Sequence, residues 1–118
     1  DDTYSVNILV QNNFHELKDL SVKFDVFGDI ELSEDDFIVP AGKVAYDKEK
    51  QHVVWSVDSL PLEIDILALQ FNFDFKSKNP TQTDITSNIV LEAVDTITGK
   101  TVMLVKDGLK FDDLVIEL

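Results

Sequence analysis

The chain has 118 residues, no cysteine, and 23 acidic against 10 basic side chains, for a formal charge of −13. Every basic residue is a lysine, so the clustered Lys and Arg that neutralise nucleic-acid phosphate or an anionic membrane surface are missing. Disulfides, thiolate metal sites and thiol catalysis are excluded outright, and no apolar run reaches the length of a membrane span. The size is that of one domain, spanning residues 1–118, and the start at Asp1 reads as that of a module excised from a longer protein. Lack of cysteine is compatible with the cytosol and equally with export.

Apolar residues recur with period two, the mark of half-buried strands. In the first segment Tyr4, Val6, Ile8 and Val10 share a face, with Asn7 and Gln11 opposite. The polar stretch "NNFHELKD" then leads to a strand with Leu20, Val22, Phe24 and Val26 inward and Ser21, Lys23 and Asp25 outward. "GDIELSEDDFIVPAG" is a longer connection carrying one or two short strands and closed by Pro40 and Gly42. "YDKEKQ" is a polar turn joining "KVAY" to "HVVWSV". In the latter, Val53, Trp55 and Val57 fall on one side and His52, Val54 and Ser56 on the other, which places the single tryptophan in the core. A sugar-stacking platform would need several exposed aromatics on one face. Only Phe27 points outward from a strand, and Phe14 sits in a loop.

The alternation is clearest in "DILALQFNFDF", where Leu67, Leu69, Phe71, Phe73 and Phe75 share a side. After "SKNPTQTD", Ile85, Ile89, Leu91 and Ala93 align in the next segment, and "DTITGK" puts Gly99 where a hairpin turn demands positive φ. The closing "LKFDDLVIEL" offers another strand, with "KFDDLV" readable also as a turn of helix. These elements predict an all-β fold, an immunoglobulin-like antiparallel β-sandwich of roughly seven to nine strands.

No catalytic constellation assembles. His15 and His52 fall in a polar loop and on an outward strand face, without metal-ligand spacing. There is no nucleophile elbow and no Gly-rich phosphate loop. No enzyme activity and no cofactor are expected. Calcium is the one ion for which the loops offer oxygens, with Glu34, Asp35 and Asp36 in "SEDD" and Asp112 and Asp113 in "FDD" as candidate ligands. A Lys–Asn isopeptide crosslink would need both partners buried beside a carboxylic acid. Lys23 and Asn88 both read as mid-strand, but alternation sets them on polar faces.

The order of features resembles the conserved immunoglobulin-like repeat of bacterial and archaeal cell-surface proteins. A first strand ending at Asn12, the strand Val53, Trp55, Val57 and Leu60, and a late strand with Ile85 and Asn88 carry the likeness. The chain departs from that pattern at Asn13-Phe14-His15, where a Gly-Pro type turn is usual, and at Asp25-Val26-Phe27-Gly28. A second resemblance is to the C-terminal sandwich of clathrin-adaptor medium subunits, on "GKVAYDKEKQHVVWSVDSLP". The first implies a structural or adhesive module, extracellular or attached to the cell wall, whose partners are proteins, cell surfaces or neighbouring domains. The second implies a cytoplasmic trafficking adaptor that binds peptide motifs. In both, contacts fall to end loops or an uncovered strand edge, and neither nucleic acid nor membrane insertion is expected.

Overall fold

A computed structural model describes residues 3–11, 15–60, 66–77, 81–111 and 115–118. The strands are β1 (Thr3–Gln11), β2 (Leu17–Asp25), β3 (Asp29–Glu31), β4 (Phe37–Ile38), β5 (Lys43–Asp47), β6 (His52–Leu60), β7 (Ile66–Ser77), β8 (Ile89–Asp95), β9 (Thr101–Lys106) and β10 (Val115–Glu117). Seven of them run five residues or longer, within the expected seven to nine, and the short β3, β4 and β10 complete two five-stranded sheets. One sheet has the order β10-β1-β7-β3, with β4 also on β7; the other runs β5-β6-β2-β8-β9. The long connection after β2, expected to carry one or two short strands, carries two, and both add to β7.

The sheets stack face to face because the period-two stripes leave each with one apolar side. Val6, Ile8, Val10, Leu67, Leu69, Phe71 and Phe73 of the first sheet meet Leu20, Val22, Phe24, Val53, Trp55, Val57, Ile89, Leu91 and Ala93 of the second, all buried. Aromatic rings run through this layer in sequence. Phe24 stacks on Phe71 at a centroid distance of 5.7 Å, Phe37 on Phe71 at 5.0 Å, and Phe71 on Phe73 at 6.0 Å. Tyr4, Phe75 and Phe111 continue the row at one end, half-buried.

Trp55 is fully buried, and its indole N–H donates to the Ala41 carbonyl at 2.8 Å. The buried polar end of the ring is thereby satisfied, as burial requires. Gly99 has φ +71 in the β8–β9 turn, as the hairpin demanded. The β5–β6 turn solves the same problem without glycine. Gln51 takes φ +54 there, and its side-chain amide donates to the carbonyls of Val26 and Gly28 at 2.7 and 3.0 Å.

The last described strand is β10, and it lies parallel to β1, with Asn7, Ile8 and Leu9 opposite Val115, Ile116 and Glu117. Leu118 N–H donates to Leu9 O at 2.7 Å, and Gln11 N–H donates to Leu118 O at 3.4 Å. The helical alternative for "KFDDLV" falls largely on residues 112–114, outside the described residues.

Candidate interaction surfaces

The acidic loop splits into a described and an undescribed part. Glu34, Asp35 and Asp36 form a single 3-10 turn between β3 and β4. Two of its carboxylates are engaged internally: Asp36 Oδ2 accepts the Ser33 N–H at 2.9 Å, and Glu34 Oε2 accepts the Tyr46 N–H at 3.0 Å. The turn thus caps the outer edge of β5. Asp112 and Asp113 lie outside the described residues. Among the described residues, no group of three or more His, Asp or Glu side chains gathers where it could hold a metal ion.

The two histidines each sit against a carboxylate, pairings that periodicity alone does not reveal. His52 Nδ1 lies 2.6 Å from Asp25 Oδ1, directly across the β2–β6 ladder. His15 Nδ1 lies 2.5 Å from Asp95 Oδ2. The other oxygen of Asp95 accepts the N–H groups of Ile97 and Thr98, folding the β8–β9 turn. The hydrogen bond from His15 is the main cause holding the Asp95 carboxyl below the ordinary carboxylate range, helped by the two turn amides and opposed by partial desolvation. The sign of the linkage follows. A carboxyl with a folded-state pKa below its unfolded value of 3.8 stabilises the fold fully above that value, and loses the contribution as pH falls through the lower one. Asp95→Asn keeps an oxygen for the turn amides and removes the charge. Its melting temperature should lie below the parent's at neutral pH, with the gap closing in acid. A gap that stays constant across the acid range would refute the assignment.

Among the described residues two open clefts have a volume of about 400 Å³ each. One is lined by Asp29, Glu31, Asp36, Tyr46, Lys48 and Lys76, and Lys76 Nζ approaches Glu31 Oε1 at 4.0 Å. The other lies between Phe27, Asp84, Ser87, Asn88, Asp107 and Lys110. Asn88 sits just before β8 rather than within it, and its Oδ1 accepts the Gly108 N–H. Lys23 is exposed on β2, so the two residues considered for a crosslink are not buried together.

The least water-adapted surface is elsewhere. Of the large apolar side chains left exposed, Ile97, Val102, Met103 and Val105 all belong to the β8–β9 hairpin. Met103 and Val105 lie on the outer face, beside Glu92 and Val90 of β8; Val102 and Leu104 lie on the inner side, opposite Ala93 and Leu91. Elsewhere on that outer face Ser21, Lys23 and Asp25 on β2 and His52 and Ser56 on β6 are polar, interrupted by Ala45, Val54 and Val94. Proteins usually guard a free strand edge with charge, brevity or a cover. The β5 edge has Lys43, Asp47 and the acidic turn, and the outer strands of the other sheet are three residues or shorter. Within its six residues β9 has only Lys106 as a guard.

No protein-family model matches the sequence, and no curated protein matches it. The fold is nevertheless found among solved structures. The chain is similar to a structure of three N-terminal domains of the type V pili tip protein of Porphyromonas gingivalis, with a TM-score of 0.63 at 12% identity. The match covers 79% of this chain and 21% of that one, so the chain spans about a fifth of the pilus structure it resembles. What the likeness shows is a shared fold.

Proposed function

We propose that this domain is a non-catalytic structural or adhesive module of a bacterial cell-surface protein, immunoglobulin-like in kind and working outside the cell. In this reading it works without a cofactor. Its partners are other proteins or neighbouring domains. The likeness to a pilus tip domain supports this reading. One feature of the chain itself carries it: the first and last described strands are neighbours and run parallel.

The described chain therefore starts at Thr3, at one end of β1, and reaches Leu118 beside Leu9 and Gln11 near the other. At about 3.3 Å per residue, the run from Thr3 to Val10, which lies level with Leu118, separates the two ends by about 23 Å. The molecule is elongated, 47 × 25 × 24 Å, as suits a unit strung in line. Opposed tension on the two ends slides β10 along β1. The hydrogen bonds between them are then loaded together rather than broken in succession. A spacer or adhesive stalk needs that resistance.

Single-molecule pulling tests the reading, and the cysteine-free chain accepts engineered handles cleanly. Handles at residues 3 and 118 should give a high unfolding force in one event. Handles at residues 11 and 118, which sit side by side, peel the same seam bond by bond and should open it at a lower force. Equal forces in both geometries would remove the load-bearing role.

A further inference from the structure

We propose that the β9 edge pairs with β9 of a second copy of this chain, joining two five-stranded sheets into one. The backbone of β9 is set up for it. Asp95 N–H donates to Lys100 O at 2.9 Å, and the β8–β9 register pairs Val94 with Thr101 through Ile89 with Lys106. In an antiparallel ladder bonded and non-bonded pairs alternate. Val102, Leu104 and Lys106 therefore turn their amides to β8, while Thr101, Met103 and Val105 turn theirs outward.

A two-fold axis normal to the sheet keeps each side chain on its own face, so residue pairs must share parity about the axis. Centred on Met103, the pairing would set Lys100 against Lys106 of the partner subunit, and like charges directly opposed destabilise a ladder. Centred on Leu104, it sets Met103 against the partner's Val105, Val102 against the partner's Lys106, and Thr101 against the partner's Asp107. No like charges meet. The outward amides of Met103 and Val105 face those of the partner's Val105 and Met103, and Leu104 meets the partner's Leu104 across the axis. The lysine stem lies along Val102 with its head in water. The exposed Met103 and Val105 are covered from both sides.

The contact is one strand wide, smaller than a standard stable interface, so association is weak and depends on local concentration. Each copy brings a charge of −13, which opposes pairing and is screened within about 8 Å at physiological ionic strength. Salt therefore strengthens this association, whereas it would weaken binding of a cationic partner at the same edge.

The test is sedimentation velocity over a concentration series at low and high salt. The expected result is a shift toward dimer with concentration that grows with salt, and a dimer constant about tenfold weaker or more in Val105→Lys. A monomer throughout, or association that salt weakens, would overturn the proposal. Register is read separately by single cysteines. Leu104→Cys should crosslink across the axis, because a non-hydrogen-bonded pair sits at a separation a disulfide spans. Crosslinking of Met103→Cys with none of Leu104→Cys would overturn the pairing stated here. Should Leu104→Cys unfold, the double variant Val102→Cys with Lys106→Cys reports the same register, and its failure to crosslink counts against it.

Discussion

Replacing Trp55 with alanine should lower the stability of this domain more than any other single truncation. A fully buried tryptophan cut to alanine costs about 3–5 kcal/mol, from lost transfer energy and from the cavity left behind. A domain of this size holds about 5–15 kcal/mol in all. At about 3–6 °C per kcal/mol, the expected drop in melting temperature is about 10–30 °C. Trp55→Phe separates two contributions. It keeps most of the apolar volume and removes the indole N–H, leaving the Ala41 carbonyl without that donor. An unpaired buried polar group costs about 1–3 kcal/mol, so the phenylalanine variant should fall between the parent and the alanine variant. Acrylamide should barely quench the parent's fluorescence until the protein melts. A freely quenched indole in the folded protein, or an alanine variant that melts with the parent, would contradict the packing described.

The second large effect is expected one residue from that carbonyl. Gly42 has φ +74, and a Cβ there would stand 1.9 Å from the Ser56 carbonyl oxygen, on the backbone of β6. Gly42→Ala incurs both a left-handed backbone penalty of about 1–2 kcal/mol and an overpacking cost of about 1–3 kcal/mol. Gly99 supplies the control. Its φ of +71 is nearly the same, but a Cβ there meets nothing within 4 Å. Gly99→Ala should therefore cost only the backbone penalty. Chemical denaturation of the two variants measures the difference, which is the energy of the close approach between the Gly42 turn and β6. Equal losses would mean that no such approach exists.

What the sequence made readable was what depends on spacing alone. Alternation in "DILALQFNFDF" assigned each side chain of β7 to a face, and every described inward residue is buried or half-buried. The same logic placed Trp55, Val53 and Val57 inside and found the turn at Gly99. Register between strands left no such trace. Asp25 faces His52, and Asp95 meets His15 from far along the chain, because of ladder and loop geometry that no period encodes. The pairing of β10 with β1 is likewise a choice of neighbour. The β9 edge was obscured for a different reason. "VMLV" is apolar on both faces, a pattern that ordinarily marks a strand covered on both sides, so it gives no sign of lying at the rim.

The seam between β1 and β10 also governs how this protein comes into being. Until Val115–Glu117 has been synthesised, β1 has a partner on one flank only, and that partner, β7, begins more than fifty residues after it. Contacts so distant along the chain close slowly. The β1 seam therefore completes late in folding, because both strands that flank it follow far along the chain.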